Sequence, residues 1–293
     1  MNISNIHNFP QALVEAVKND PYTGGGDISI TKLIDSPQRR ILLKKYKESI
    51  VEDVSERIFS LLGQAVHTIL ERQDQGKSVM AEDRLYTKIL DWNVSGQYDR
   101  MDLRDGVMDD YKVTGVYKAM MNDHIEWERQ LNCLRYLAHM NGYEVNQLRI
   151  VAILRDWRKS DVGRKEGYPE AAVQIIEIPV WDLWETRQYM ESRVKAHMEA
   201  EASNPEYMTC SSEERWYQGT TYALMKDGGK RAIKIFERKE DAEAKLVDGC
   251  HVEERLGINR RCADYCEVSQ FCEQYRPYRE STDAPFWPDS SSS

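Results

Sequence analysis

The chain lacks several features that would assign it to familiar classes. No apolar run approaches the roughly 18 residues of a membrane-spanning helix. The opening MNISNIHNFPQALVEAV has no basic stretch followed by an apolar one, so no export signal is predicted. No internal repeat is evident. These absences predict a cytoplasmic globular protein without a membrane partner.

An excess of positive charge is also missing, since 49 acidic residues outnumber 40 basic ones and the net charge is −9. Nucleic acid is not excluded as a partner, because a local basic groove can coexist with carboxylates elsewhere. Three basic groups are candidates for such a groove, although each is also typical of a solvated face. They are Lys44, Lys45 and Lys47; Arg155, Arg158, Lys159, Arg164 and Lys165; and Lys226, Lys230, Arg231 and Lys234.

What the chain does contain is a short acidic hairpin, SGQYDRMDLRDGVMDDYKVT, from Ser95 to Thr114. An Asp-Gly pair favours a type I′ turn, and a turn at Asp105–Gly106 places Asp99 opposite Lys112. Because side chains alternate faces along a strand, Asp110 shares that face. Two carboxylates and an ammonium on one half-buried patch are typical of a site for a divalent cation. A charged solvent face is the alternative.

Apolar residues at helical spacing predict a helix from about Asp53 to Arg72. Gly63 and His67 lie four residues apart on it and therefore face the same way. Glu82, in the next strand-like segment, is a weaker candidate for the same site, and an exposed acid at a strand end is the favoured interpretation. Gly96 precedes the first aspartate, where close approach of another backbone or a ligand would require a glycine.

Helices and strand-like segments up to about residue 203 predict an α/β (α+β) fold, a mixed central sheet flanked by helices. A helix from about Asp123 to Asn141, closed by Gly142, follows the hairpin. After Asn204-Pro205 the segments become short, polar and cysteine-bearing. We therefore predict an N-terminal helical region at 1–52, a core at 53–203, a C-terminal segment packed on the core at 204–280, and a disordered tail at 281–293.

The cysteines divide into two kinds. Cys133 falls within the helix after the hairpin and is predicted to be a small buried hydrophobe. Cys262, Cys266 and Cys272 form a C-x3-C-x5-C pattern in RRCADYCEVSQFCEQ, and this spacing indicates metal binding. Spacing leaves the metal open, because zinc sites favour C-x2-C pairs and none is present.

Taken in order, G-x3-H, G-x2-D, D-Y-K and a glutamine on the next helix resemble the RecB/AddB-like branch of the PD-(D/E)-x-K nucleases. Phage-encoded exonucleases of this branch match best, since they carry openings similar to ISITKLIDSP and later segments similar to CSSEERW and TYALMKDGGKRA. The resemblance spans roughly residues 27–275. It implies a restriction-endonuclease-like nuclease core and a C-terminal cysteine-rich segment that holds a metal cluster.

The resemblance implies a role for each matching residue of the core. His67, Asp99 and Asp110 would hold one or two Mg²⁺ or Mn²⁺ ions, with the backbone carbonyl of Tyr111 as a further ligand. Lys112 would position and help deprotonate the attacking water or stabilise the pentavalent phosphate. Hard oxygen ligands and a nearby ammonium suit this chemistry.

One position departs from the family pattern, which usually has Q-x3-Y on the helix after the lysine. Gln130 would lie near the site and contact DNA or the metal shell, but Leu134 stands where the tyrosine is expected. Tyr136 lies about 200° around the helix from that alignment. Gln130 is therefore retained as a site residue, and Tyr136 is a weaker candidate.

For the cysteines, the resemblance implies a [4Fe-4S] cluster held by four thiolates, three of them near the C-terminus. Cys210 is our choice for the fourth ligand beside Cys262, Cys266 and Cys272, and Cys250 is the second choice. Structural zinc is the alternative, because four thiolates also suit tetrahedral Zn²⁺.

The implied function is a Mg²⁺-dependent DNA exonuclease that acts on linear duplex or single-stranded ends in phage recombination or end resection. A bacterial host cytoplasm and a single-strand annealing protein as partner follow from the same resemblance. Two alternatives remain open. One is a structure-specific or end-trimming endonuclease of the CRISPR-adaptation type, and the other is a catalytically silent DNA-binding protein stabilised by its cluster.

Overall fold

The structure is a computed structural model that describes residues 2–19, 24–73, 76–121, 124–203 and 208–280. The predicted tail at 281–293, the predicted helix start at Asp123 and the junction at Asn204-Pro205 lie outside these residues. Within the described residues, no helix combines the length and apolarity needed to cross a bilayer.

Helices and strands follow one another along the described chain, with short 3₁₀ turns between some of them. The helices are α1 (Gln11–Lys18), α2 (Ile30–Leu33), α3 (Pro37–Lys45), α4 (Ile58–Glu71), α5 (Val116–Met120), α6 (Ile125–Met140), α7 (Leu183–Ala202), α8 (Lys239–Glu243), α9 (Arg260–Asp264) and α10 (Arg276–Glu280). The strands are β1 (Asn2–Ser4), β2 (Ile28–Ser29), β3 (Val51–Asp53), β4 (Val79–Ala81), β5 (Arg84–Ile89), β6 (Trp92–Gln97), β7 (Arg100–Asp102), β8 (Val107–Thr114), β9 (Gln147–Leu154), β10 (Val173–Ile178), β11 (Tyr217–Gln218), β12 (Thr221–Lys226), β13 (Ala232–Phe236), β14 (Cys250–Arg255) and β15 (Ile258–Asn259).

The chain divides into two compact units. The first comprises Met1–Asp35 and Val51–Ala202, and the second comprises Ser36–Ile50 and Ser203–Ser293. This division corrects the predicted boundary at 52/53, because residues 36–50 belong with the C-terminal residues.

A mixed five-stranded sheet forms the centre of the first unit, in the order β10-β9-β8-β7-β4. β8 pairs with β9 in parallel, and the other neighbours are antiparallel. β9 buries every second residue, as expected for a strand with one face on the core. A second sheet, β2-β6-β5, joins the same core together with α2, α6 and α7. The predicted fold class, a mixed sheet flanked by helices, is confirmed.

Two helices of the first unit carry side chains of the candidate site. α4 begins at Ile58. A 3₁₀ turn over Val54–Arg57 precedes it, and the Asp53 carboxylate caps that turn by accepting from the Ser55 N–H over 3.0 Å. The helix therefore begins later than predicted. α6 ends before Gly142, whose φ is +85°, so the predicted glycine closure is confirmed.

The second unit gathers α3 and the C-terminal residues around a small apolar cluster. Leu42 and Ile50 pack with Val268 and Cys272. The Tyr46 ring stacks on the Phe271 ring, with 4.2 Å between the ring centroids. These long-range contacts explain why residues 36–50 join this unit. Strands β12, β13 and β14 form a separate antiparallel sheet in it.

Candidate metal centre and cysteine cluster

Two carboxylates meet at a break in a long antiparallel ladder. β4 pairs with β7, and β5 pairs with β6, in one continuous register. The ladder is interrupted where Glu82 faces Asp99, and there the Glu82 N–H donates to the Asp99 carbonyl over 3.2 Å. Glu82 has a φ of +55°, a left-handed conformation that is uncommon for a residue with a side chain. The break therefore sets two acidic side chains beside each other.

The hairpin that follows has a longer loop than predicted. β7 and β8 are joined by residues 103–106, and the Asp102 carboxylate accepts from a backbone N–H two residues later over 3.1 Å, so the turn begins ahead of the Asp-Gly pair. The predicted two-residue turn is wrong. In the observed register Asp99 lies opposite Asp110, where the prediction had Lys112. Because the shift is two residues, the shared face survives.

His67 reaches these carboxylates from α4. Its Nδ1 lies 3.4 Å from Glu82 Oε1 and 3.5 Å from Asp99 Oδ1, and its Nε2 lies 3.1 Å from the carbonyl oxygen of Tyr111. One ligand atom from each of His67, Glu82 and Asp99 lies within 4.8 Å of the other two. The Tyr111 N–H donates to Asp99 Oδ2 over 2.6 Å, which fixes that carboxylate against β8.

Asp110 and Lys112 form the second half of the site. Lys112 Nζ lies 2.7 Å from Asp110 Oδ2, and Asp110 is only 2% exposed. Gln130 on α6 bridges the pair, because its Nε2 donates to Asp110 Oδ1 over 3.0 Å and its Oε1 accepts from Lys112 Nζ over 3.2 Å. The structure thus brings together all the core residues that the sequence predicts. We call His67, Glu82, Asp99, Asp110 and Lys112 the carboxylate site.

Crowding of acids changes the proton affinities of the site. Burial, with the nearby charge of Asp110, raises the pKa of Asp99 to about 7. The hydrogen bond with Glu82 raises the pKa of His67, and burial opposes this less strongly. Burial also opposes the charge of Lys112, but Asp110 and Asp99 outweigh it and raise the pKa of the ammonium. The site has the excess negative charge that a cation would neutralise.

Asp109, beside Asp110 in the sequence, has a different environment. It is 3% exposed and lies between two guanidinium groups, with Arg100 at 2.7 Å and Arg149 at 2.6 Å. Its charge is therefore neutralised within the protein. Of the two neighbouring acids, only Asp110 shares a site with other carboxylates.

The interpretation of Glu82 as an exposed strand-end acid is wrong. Its side chain is 16% exposed, and Gln97 holds its second oxygen by donating from Nε2 over 2.8 Å. Arg84 in turn donates to Gln97 Oε1 over 2.9 Å. A tight turn after β5 would have been the sequence signal, because the register that it sets places Glu82 opposite Asp99.

The glycines and the departing tyrosine position have packing roles. A Cβ on Gly96 would lie 2.5 Å from Ile30 and 2.6 Å from Leu134, so side chains, not the predicted backbone or ligand, require this glycine. Leu134 thus packs against β6 at the position where the family has tyrosine. Tyr136 is buried in the apolar core. A Cβ on Gly63 would meet nothing within 4 Å, which leaves open space one turn before His67.

In the second unit, Cys210 lies close to the C-terminal thiols. The Gln38 side chain accepts from Cys210 Sγ over 2.9 Å and donates to Cys272 Sγ over 3.5 Å. Gln274 holds the Cys210 backbone by accepting from its N–H over 2.8 Å and donating to its carbonyl over 2.9 Å. Cys250 instead lies at the start of β14, opposite Lys226.

Four thiols therefore form what we call the thiol cluster: Cys210, Cys262, Cys266 and Cys272. Burial raises the pKa of Cys210 to about 12 and, with neighbouring thiols, that of Cys262 to about 11. All four are free of disulfides, as is Cys133, which is fully buried as predicted. Thiols with raised pKa values stay protonated at neutral pH, so a metal would have to displace their protons.

No family model and no curated protein matches the sequence. Among solved structures, the chain is similar to that described as the crystal structure of SSO0001, with a TM-score of 0.44 and 16% sequence identity. The alignment covers 62% of this chain and 83% of that chain. A likeness at this level carries no conclusion about function.

Proposed function

We propose that the protein is a metal-dependent DNA exonuclease of the RecB/AddB-like type, with the carboxylate site as its active centre. The proposal rests on the arrangement of the acidic and basic side chains in this site. A histidine and two carboxylates offer ligand atoms within 4.8 Å of one another, and the Asp110–Lys112 ion pair lies next to them. An isolated hairpin with a charged solvent face would not bury these groups.

The donor set fits Mg²⁺ or Mn²⁺. His67, Glu82, Asp99 and Asp110 supply one imidazole and three carboxylates, and oxygen-rich sets of this kind suit these cations. His67 Nδ1 is the ring nitrogen that faces Glu82 and Asp99, so it would be the nitrogen offered to the ion, while Nε2 contacts the Tyr111 carbonyl oxygen over 3.1 Å. When bound, the ion polarises the phosphate and lowers the pKa of a water molecule.

The side chains around the ion would then have separate roles. Lys112 is held as an ammonium by Asp110 and Asp99, so it suits stabilisation of charge on the phosphate better than proton abstraction. Gln130 holds the Lys112 and Asp110 side chains in place by a hydrogen bond to each. Glu82, itself held by Gln97, orients His67 and adds a carboxylate that the family pattern does not include.

The direct test pairs linear with covalently closed circular DNA in Mg²⁺. We expect linear DNA to be degraded from its ends and the circle to stay intact. Nicking of the circle would replace the exonuclease with the structure-specific endonuclease. Binding without cleavage of either substrate, in Mg²⁺ and in Mn²⁺, would contradict the enzyme and favour the silent DNA-binding protein.

We also propose that the thiol cluster binds [4Fe-4S]. Three of the thiols follow the C-x3-C-x5-C pattern, and Gln38 contacts both Cys210 and Cys272. Four thiolates are the ligand set of such a cluster. They also suit tetrahedral Zn²⁺, which is the alternative that metal analysis distinguishes.

Substitution of Cys210 and Cys250 by serine separates the ligand from its alternative. Cys210→Ser is expected to lose most of the bound iron and the broad visible absorption band, because Gln38 places this thiol beside Cys272. Cys250→Ser is expected to keep both. Anaerobic purification followed by iron, sulfide and zinc analysis measures the outcome. A colourless wild-type protein with one zinc per chain would contradict the iron–sulfur assignment.

Gly63→Ala is expected to stabilise the protein and to slow its cleavage of DNA. Alanine is favoured over glycine inside a helix by about 0.5–1 kcal/mol, and the new methyl group would meet nothing within 4 Å. The same methyl group would occupy the open surface one turn before His67, where a DNA strand must approach. We expect about tenfold slower cleavage with a higher free energy of unfolding, measured by single-turnover assay and chemical denaturation. Ala65→Leu, which adds bulk on another face of α4, is the control, and equal slowing in both variants would refute this approach path.

A further inference from the structure

We propose that Phe59, Arg155 and Tyr117 form a platform on which the bases of a single-stranded DNA end stack beside the carboxylate site. This inference rests on the proposed function and adds the substrate class, which the catalytic residues alone do not specify. We call these three residues the aromatic platform.

The aromatic platform lies beside the end of β8 and at the start of α4, the two elements that carry Lys112 and His67. The Arg155 N–H donates to the carbonyl of Thr114 over 3.0 Å, and Thr114 ends β8 two residues beyond Lys112, on the same face. Phe59 precedes His67 by eight residues on α4, an axial distance of about 12 Å. That distance is the rise of three to four stacked nucleotides. One strand of DNA can therefore span both places.

Phe59 and Arg155 already form a stacked contact that is open to solvent. The guanidinium carbon of Arg155 lies 3.9 Å from the centroid of the Phe59 ring. Phe59 remains 56% exposed, and Arg155 is also exposed. Nothing in the packing of the core requires an aromatic ring here. Aromatic rings paired with arginine are the surfaces on which proteins stack unpaired bases.

Tyr117 is a second exposed aromatic residue near this end of β8. It is 76% exposed and lies on α5, directly after β8. The neighbouring Val116 N–H donates to Asp156 Oδ1 over 2.7 Å, and Asp156 follows Arg155 in the chain. This hydrogen bond ties the segment that carries Tyr117 to the segment that carries Arg155. Both therefore stay at the same end of β8.

The local charge suits a phosphate backbone. Residues 155–165 contain five basic and two acidic residues, a net charge of +3 in a chain of net charge −9. Asp161 is paired with Lys165 at 2.7 Å, and Asp156 is engaged as the partner of Val116. This segment was one of three candidate basic grooves in the sequence, and it is the one next to β8. Positive charge beside exposed aromatic rings favours single-stranded nucleic acid over an apolar protein partner.

The test measures binding without cleavage, so it does not depend on catalysis. Fluorescence anisotropy in EDTA would follow a labelled oligothymidine of about 15 nucleotides and a duplex of equal length. Phe59→Ala and Tyr117→Ala are each expected to weaken single-strand binding about five- to tenfold, with a smaller effect on the duplex. Arg155→Lys, which keeps the charge but loses the planar group, is expected to weaken it as well. Trp184→Ala removes another exposed aromatic residue and is expected to change nothing.

Every outcome of this experiment either supports or overturns the aromatic platform. Unchanged single-strand affinity in Phe59→Ala and Tyr117→Ala, equal losses for the duplex, or an equal loss in Trp184→Ala would overturn the aromatic platform. If the wild type cleaves no DNA but the platform variants still lose single-strand affinity, the proposed nuclease function fails and the platform stands. If the wild type cleaves linear DNA and the variants bind normally, only the platform fails.

Discussion

Replacing Asp110 with asparagine is expected to slow DNA cleavage on the order of a thousandfold while leaving the fold intact. Loss of a carboxylate that would hold the cation weakens stabilisation of the transition state, and a loss of about 3–4 kcal/mol is two to three powers of ten in rate. Loss of the ion pair with Lys112 lowers stability, but the fold should survive, because the amide can keep its contact with Gln130 and repulsion from Asp99 is removed. Single-turnover cleavage of end-labelled linear DNA and chemical denaturation measure the two properties.

Asp109→Asn is the matched control, one residue away in the same strand. Asp109 neutralises Arg100 and Arg149, and loss of a buried partner of this kind destabilises a protein by about 3 kcal/mol. We expect lower stability but normal cleavage per folded molecule. Normal cleavage per folded molecule in Asp110→Asn, or an equal loss of cleavage in Asp109→Asn, would show that the assignment of Asp110 to the active centre is wrong.

Asp99→Asn is expected to make the metal-free protein more stable, by roughly 2–3 kcal/mol at pH 8. Burial raises the pKa of Asp99 from 3.8 to about 7, so between these values the folded state binds a proton that the unfolded state has released. Stability of the wild type therefore falls as pH rises from about 4 to about 7, and the full loss remains above 7. The side chain of asparagine does not ionise in this pH range, so the variant does not lose this stability.

The measurement is chemical denaturation of both proteins in EDTA from pH 4 to pH 8. Their difference in unfolding free energy should be small at pH 4 and largest at pH 8. Mn²⁺ should then stabilise the wild type by binding its folded state, but should have little effect on Asp99→Asn. A variant that is less stable than the wild type at pH 8, or that gains equally from Mn²⁺, would show that Asp99 is a structural acid.

The shared face of the hairpin was predictable because it depends on parity alone. Asp110 and Lys112 are two residues apart, and Asp99 joins them in any register that differs by an even number of residues. Helix α4 was predictable from its apolar spacing, although the cap at Asp53 moved its start. These properties are local, and they follow from periods of 2.0 and 3.6 residues.

What could not be predicted depends on contacts between distant parts of the chain. Glu82 enters the site because its own left-handed backbone interrupts one ladder without changing the register. A turn after β5 would place Glu82 opposite Asp99, but no residue type in the sequence marks the break that brings its side chain into the site. Cys210 approaches Cys272 through Gln38, a residue that belongs to α3. From the sequence, the resemblance gave Cys210 only as the first of two choices for the fourth ligand.

The interleaving of the two units has a consequence for the newly made chain. Residues 36–50 leave the ribosome early, but their partners Val268 and Cys272 are among the last to be synthesised. Until then the apolar side chains of α3 have no lasting cover, so a translating chain must carry them exposed through most of its synthesis. A truncation that ends at Ala202 would make that exposure permanent. Aggregation of such a shortened chain, relieved by also excising 36–50, is the result that this arrangement leads us to expect.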